Sequence, residues 1–175
     1  MLGAAIAVLG ALMDLLPPPN AERHARVLAV RSLSAYYFNN AISAETESVL
    51  CLAIDESSVV SEPLPDDKLP TEEMLSGRDD DPDGFYLEQL AGLKGKVVPL
   101  SQCPKARRQA DGPAKGPVTV RLRAVRWVAA DTIELPSIAT RAGDPCTYTK
   151  AFRYVWADDA WREKPFMFTG EQCPY

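Results

Sequence analysis

The chain has 175 residues, of which 46% are hydrophobic and 25% are charged, and its formal net charge at pH 7 is −5. This composition is typical of one soluble globular domain and excludes fibrous, collagen-like and fully disordered chains. The acidic balance disfavours a nucleic-acid-binding protein, and no apolar run reaches the roughly 18 residues of a membrane-spanning helix.

The N-terminal segment is apolar over residues 2–13 and is followed by Asp14 and three prolines at 17–19. Its length fits the core of a secretory signal peptide, although no Lys or Arg precedes it. Three interpretations of residues 1–20 are open: a signal peptide, a short apolar helix packed on the domain, or the end of an export signal whose basic part lies upstream. Residues 21–175 are predicted to form a single α+β domain.

The first regular element after the prolines is a helix over 21–43, which the helical spacing of its apolar residues predicts, with Asn20 as the N-cap. A short apolar run predicts a strand over 48–55. An acidic, proline-rich insertion follows at about 55–84 and reads as a loop, with one short helix over 71–76.

The second half of the chain reads as a helix over 85–93 and an edge-like strand over 97–100, followed by a run of further strands. These strands are predicted over 118–127, 132–135, 146–156 and 161–168. The apolar phase of the first shifts at Val125, which predicts a bulge near Ala124. One face of the third is predicted to carry Tyr148, Phe152, Tyr154 and Trp156.

A helix followed by locally connected strands predicts the α+β class. The expected architecture is a long N-terminal helix packed on a curved antiparallel sheet of about four strands, arranged as a meander.

Four parts of the sequence carry a family resemblance: Val98–Cys103, Val125–Trp127, Tyr154 and Trp161. With this order of elements, the chain resembles small exported bacterial proteins and the helix-on-sheet layout of cystatin-like and nuclear-transport-factor-like folds. The cystatin inhibitor motif Gln-x-Val-x-Gly is absent from the chain. The resemblance therefore implies a fold and no activity.

The four cysteines, Cys51, Cys103, Cys146 and Cys173, are widely spaced and form no Cys-x-x-Cys pair. An even number of isolated cysteines favours two disulfides and an oxidising compartment, which indicates a periplasmic or secreted protein. Of the three pairings, we expect Cys51–Cys103 and Cys146–Cys173, because each joins consecutive segments. The alternative is a cytoplasmic protein with four free thiols.

Charge is distributed unevenly along the chain. Residues 45–88 carry a net charge of −12, whereas bases predominate over residues 94–126. Two layouts follow: the acidic segment packs across the basic strand face, or the two charged faces are both open to partners.

Two features raise the question of metal or acid–base chemistry. Asp79, Asp81 and Asp83, followed by a glycine, have the spacing of a calcium-binding loop, but the twelfth position is Leu90 rather than the required glutamate. An exposed acidic turn is the other interpretation, and we predict no resident metal or cofactor. The single histidine, His24, is predicted to lie on the surface of the first helix.

We expect a non-catalytic, exported, disulfide-stabilised domain that binds a protein or a small ligand. The candidate binding face comprises Arg121, Arg123, Arg126, Tyr148, Tyr154 and Trp156. One alternative is a small hydrolase-like enzyme with acids such as Asp55 and Glu56 near a cavity. Another is an acidic cytosolic inhibitor of a basic partner.

Overall fold

A computed structural model describes residues 17–18, 20–39, 49–65, 68–93, 95–105, 116–142 and 144–173. One helix packs on a single mixed sheet, so the α+β class is confirmed. The elements in chain order are α1 (Ala21–Asn39), β1 (Val49–Ile54), β2 (Ser58–Val60), α2 (Glu72–Leu75), α3 (Gly84–Gln89), β3 (Lys96–Pro99), a 3-10 turn (Leu100–Gln102), β4 (Val118–Leu122), β5 (Val125–Ala129), β6 (Thr132–Arg141), β7 (Thr147–Ala157) and β8 (Ala160–Gln172).

The sheet has eight strands, so the predicted sheet of about four was wrong. The expected antiparallel meander exists as β5 to β8. Four further strands extend it: β4 pairs antiparallel with β6, and the parallel pairs are β1 with β3, β1 with β4 and β2 with β5. Parallel strands are joined by crossovers rather than tight turns, so this extension has no local sequence signal.

β4 and β5 follow one line along the sheet with a break between them. β1 and β2 follow a neighbouring line with a break at the same position. β4 and β5 both pair with β6, one with each half of it, and β1 and β2 lie alongside them in the same order. The break between β4 and β5 falls at residues 123–124, where the bulge was predicted. Pro136 lies opposite this break, and its carbonyl accepts the Arg123 N–H at 2.9 Å. A proline is tolerated inside β6 because its missing N–H faces the gap.

Helix α1 begins after the prolines and confirms the predicted helix over Ala21–Asn39, a length of 19 residues. Residues 40–43 of the predicted helix lie outside the described part of the chain, as do residues 1–16 of the N-terminal segment. Two indole groups fasten the start of α1 to the sheet: Trp161 Nε1 donates to the Ala21 carbonyl at 2.7 Å, and Trp127 Nε1 donates to Glu22 at 2.5 Å. No helix in the described residues is long and apolar enough to cross a membrane.

The main core lies between α1 and the sheet. Its strand residues are the apolar positions that the alternation placed on one face, including Val120, Leu122 and Val125. Phe152 and Tyr154 are buried in the same core, and Tyr148 and Trp156 pack against it.

Part of the acidic insertion lies against the other face of the sheet. Leu64, Met74 and Ala151 form a small second cluster, and a Cβ atom added at Gly170 would lie within 3 Å of the Leu69 side chain. The short helix α2 lies within the predicted range 71–76, and the Thr71 hydroxyl caps it by accepting the Met74 N–H at 3.4 Å. The described residues around Leu64, Leu69 and Met74 therefore pack against the sheet and cover part of this face.

Both predicted disulfides are present. Cys51 in β1 pairs with Cys103 after the 3-10 turn, with the Cα atoms 5.4 Å apart, and Cys146 pairs with Cys173 across the ends of β7 and β8, at 4.2 Å. Disulfides persist in oxidising compartments, so the bonds indicate a non-cytosolic protein.

Candidate functional site

Asp55 lies in the break between β1 and β2 and forms hydrogen bonds that fix its backbone. Its backbone N–H donates to the Leu122 carbonyl at 2.9 Å, and its carboxylate accepts Ser57 N–H at 3.0 Å, Ser57 Oγ at 2.6 Å and Arg78 N–H at 3.0 Å. Burial opposes ionisation of this carboxyl group, but the hydrogen bonds outweigh it and lower the pKa of Asp55. Asp55 is thus ionised at neutral pH, and its carboxylate holds the backbone of Ser57 and Arg78 in place.

Arg26 of α1 donates hydrogen bonds to the backbone of the same break between β1 and β2. Its side chain is fully buried, and Nη2 donates to the carbonyls of Asp55 and Ser57, each at 3.0 Å. Glu56, the second acid considered for an enzymatic site, is exposed and lies 3.8 Å from Arg23. Asp55 and Glu56 therefore have separate environments, one enclosed by donors and one at the surface.

Asp79 links the acidic segment, residues 45–88, to two arginines on the basic strand face. Its carboxylate accepts hydrogen bonds from Arg121 Nε at 2.9 Å and Arg123 Nη1 at 2.8 Å. Burial again opposes ionisation, but the two arginines dominate and lower the pKa of Asp79. Arg123 also donates to the Arg78 carbonyl at 3.1 Å. At this point the acidic segment packs against the basic strand face, as the first of the two predicted layouts requires.

A second charged cluster lies one strand further along. Glu134 is fully buried on β6, between Arg126 of β5 and Arg153 of β7, and both arginine–carboxylate distances are 2.8 Å. The carboxylate also accepts the Leu64 N–H, and Arg126 donates to the Glu62 carbonyl at 3.0 Å. The cluster thus ties the backbone of Glu62 and Leu64, in the acidic insertion, to the sheet.

The predicted binding face divides between the two sides of the sheet. Arg121, Arg123 and Arg126 lie on the side away from α1, where their partners are Asp79, Glu62 and Glu134. Tyr148, Tyr154 and Trp156 lie on the α1 side, in or against the core. Successive residues of a strand point to opposite faces, so the arginines and the aromatic residues do not form one surface.

The three aspartates of the predicted calcium loop each contact a different part of the protein. Asp79 binds Arg121 of β4 and Arg123 in the break after it, and Asp81 accepts both Ser101 N–H, at 3.0 Å, and Ser101 Oγ, at 2.5 Å. Asp83 caps α3 through the Phe85 N–H at 3.0 Å and pairs with Arg23. The three carboxylates are thus not gathered around one point.

His24 is exposed on α1, as predicted, and its ring meets Phe85 edge-on at 5.5 Å. Its Nδ1 lies 3.1 Å from the Asn20 carbonyl. This contact is local to the first turn of the helix, so His24 has the place of a surface residue.

Strand β2 is an exposed edge of the sheet in the part of the chain that the structure describes. It is an edge strand, hydrogen-bonded only to β5, and all three of its residues are exposed. Val59 is 48% exposed and Val60 is 90% exposed. Sequence reasoning missed this strand because it lies within an acidic, proline-rich segment; the available signal was the pair of β-branched residues 59–60 among polar neighbours.

The edges of the sheet differ in how well they are protected. β3, the edge strand beside β1, contains Lys96 and Pro99, and both residue types discourage further strand pairing. β2 contains neither a charged residue nor a proline. Its outer edge offers backbone donors and acceptors next to an exposed apolar side chain.

No protein-family model, curated protein or solved structure matches the chain.

Proposed function

We propose that the protein is a disulfide-stabilised binding domain that works in the periplasm or outside the cell and takes up an extended polypeptide at the free edge of β2. The observation that carries the proposal is the exposure of Val60, 90%, on an edge strand that lacks charge and proline. An added strand gains main-chain hydrogen bonds and covers the apolar side chain.

The hydrogen bonds of β2 define which groups are free. Val125 N–H donates to the Ser57 carbonyl at 3.0 Å, and Ser61 N–H donates to the Trp127 carbonyl at 2.9 Å. Successive residues of a strand direct their backbone groups to alternate sides. Residues 57, 59 and 61 therefore face β5, and the N–H and C=O groups of Ser58 and Val60 face outward.

The flanking charges favour a basic partner. Glu56 and Glu62 lie just before and just after β2, and both are exposed. A segment with small β-branched residues between lysines or arginines complements the apolar strand and both carboxylates. The two disulfides support a role where thiols are oxidised.

The test is an NMR titration of isotope-labelled protein with a short capped peptide of alternating valine and threonine with a lysine at each end. We expect the amide resonances of Ser58 and Val60 to shift and their hydrogen exchange to slow. Val60→Pro removes an outward N–H that β5 does not use, so it should abolish binding and leave the fold intact. Tyr36→Lys, at an exposed apolar site on α1, is the matched control and should bind normally.

Two outcomes would overturn the proposal. One is unchanged binding by Val60→Pro in a folded protein. The other is self-association through this edge, seen as a concentration-dependent dimer that Val60→Pro removes and the peptide does not displace. The intact mass of natively expressed protein, measured with and without reduction, tests the compartment, because export predicts two disulfides and loss of residues 1–20.

A further inference from the structure

The two disulfides differ in their access to solvent. In the first disulfide Cys51 is fully buried and Cys103 is half-buried, whereas in the second Cys146 is half-buried and Cys173 is exposed. Cys146 and Cys173 lie one position beyond the last paired residues of β7 and β8, Thr147 and Gln172. Because thiol–disulfide exchange requires access to a sulfur atom, the Cys146–Cys173 bond, which contains the one exposed cysteine of the four, is the more accessible of the two to a reductant.

A third metal-ligating group lies beside this disulfide. One carboxylate oxygen of Glu171 and the Sγ atoms of Cys146 and Cys173 all lie within 4.8 Å of one another, and Glu171 Oε1 is 3.3 Å from Cys173 Sγ. Within the described residues this is the only such group of three. Asp144 adds a nearby negative charge, and its carboxylate accepts the Cys146 N–H at 2.9 Å.

We propose that reduction of Cys146–Cys173 creates a binding site for a thiophilic divalent cation of the zinc class, with the two sulfurs and Glu171 as ligands and solvent in the fourth position. Cysteine thiolate and carboxylate are established zinc ligands, and three protein ligands leave one position open. The oxidised protein lacks the site, because disulfide sulfur carries no charge and binds zinc poorly.

The geometry allows the two sulfurs to bind one zinc ion, in place of each other, with little backbone movement. Two sulfurs bound to one zinc ion at about 2.3 Å and a tetrahedral angle lie roughly 3.8 Å apart. The Cα atoms of Cys146 and Cys173 are 4.2 Å apart. Rotation of the two side chains after the S–S bond breaks can therefore supply the separation.

A phosphine or dithiol reductant donates two electrons, the S–S bond breaks, and two protons complete the thiols of Cys146 and Cys173. A phosphine becomes its oxide with oxygen from water, and a dithiol becomes a disulfide. Metal binding then releases the two thiol protons to solvent, so the affinity falls as the pH is lowered.

The test begins with brief treatment of the native full chain with a water-soluble phosphine, followed by removal of the reductant and anaerobic addition of Co²⁺. Alkylation and peptide mapping should find Cys146 and Cys173 modified and Cys51 still paired with Cys103. We expect one Co²⁺ per chain, with thiolate-to-cobalt charge-transfer absorption that Zn²⁺ abolishes. The untreated protein should show none.

Variants separate a built site from two loose thiols. Cys173→Ser should remove the charge-transfer band, and Glu171→Gln should weaken Co²⁺ binding by about tenfold or more. Glu163→Gln, an exposed glutamate on the same strand, is the control and should leave the affinity unchanged.

The proposal is overturned if both disulfides are reduced together, if the reduced chain binds no metal at equal stoichiometry, or if Glu171→Gln binds Co²⁺ as tightly as the wild type. These outcomes are independent of peptide binding at β2, because β2 and the end of β8 lie on opposite edges of the sheet.

Discussion

Arg126 and Glu134 face each other across β5 and β6, with Nη1 of the arginine 2.8 Å from Oε2 of the glutamate, and both residues are buried. The strand register also places Arg153 directly beside Glu134 on β7. The same carboxylate accepts the Leu64 N–H at 3.0 Å. One buried carboxylate thus binds two arginines and also holds the backbone of Leu64, in the acidic insertion, on the sheet.

The first prediction concerns Glu134→Gln, which removes the buried carboxylate that Arg126 and Arg153 both contact. Removing one partner of a buried ion pair typically costs about 3–5 kcal/mol, and we expect the free energy of unfolding in urea to fall by that amount. Glu163→Gln, on the exposed surface of β8, is the control and should change it by less than about 0.5 kcal/mol. A loss for Glu134→Gln as small as that of the control would mean that the cluster does not hold the fold.

The second prediction compares two glycines. A Cβ atom at Gly77 would lie 2.6 Å from Asp55 Oδ2, whereas a Cβ atom at Gly84 would meet nothing within 4 Å. Gly77 also has φ +155°. Gly77→Ala therefore pushes apart the loop and the interruption between β1 and β2, while Gly84→Ala only restricts the unfolded chain at the start of α3.

We expect Gly77→Ala to destabilise the protein by about 1–3 kcal/mol and Gly84→Ala to be neutral or stabilising by up to about 1 kcal/mol. Thermal unfolding of the two variants beside the wild type gives the order directly. Equal melting temperatures for the two variants would show that the close approach to Asp55 is not enforced in solution.

Features that depend on local pattern could be predicted from the sequence. The alternation of residues 118–122 and the phase shift at Val125 gave the buried face of β4 and the break after it. The disulfide pairing followed from the order of the four cysteines along the chain. For the two strand features the nearest neighbours in sequence carry the physical cause, whereas the disulfide partners are 52 and 27 residues apart and only their order along the chain indicated the pairing.

Features that depend on distant partners could not be predicted. Glu134 stands in an alternating strand, where a charged residue is normally placed toward solvent. Its burial results from arginines 8 and 19 residues away and a backbone group 70 residues away. The end of β6 was missed for the same reason, because Pro136 is tolerated only opposite a break in the neighbouring strand.

The third prediction compares two tyrosines on β7. The Tyr154 hydroxyl is buried and has no hydrogen-bond partner among the described residues. The Tyr148 hydroxyl donates to Asp144 at 3.0 Å. An unpaired buried hydroxyl carries a desolvation cost that phenylalanine avoids, whereas a paired hydroxyl contributes about 0.5–1.5 kcal/mol.

We therefore expect Tyr154→Phe to leave the free energy of unfolding unchanged or to raise it, and Tyr148→Phe to lower it by about 0.5–1.5 kcal/mol. Urea unfolding of both variants measures the difference with the same chemical change on the same strand. The opposite order would reveal a partner for the Tyr154 hydroxyl and contradict the assignment.

The fourth prediction concerns stability in acid. The pKa values of Asp55 and Asp79 lie below the ordinary value of 3.8, because hydrogen bonds to each carboxylate outweigh the effect of burial. A group whose pKa is lower in the folded than in the unfolded protein stabilises the fold above the unfolded value. It loses that contribution as the pH falls through the folded value.

The free energy of unfolding should therefore hold its carboxylate contribution at neutral pH and decline below about pH 4, as both groups take up protons. Asp55→Asn and Asp79→Asn should each lower stability at neutral pH and flatten the decline in acid, since the variant side chains cannot titrate. Glu88→Gln, which removes an exposed carboxylate on α3, should keep the full decline. Urea unfolding at a series of pH values tests this. A double variant of Asp55 and Asp79 with the acid slope of the wild type would show that other groups govern acid unfolding.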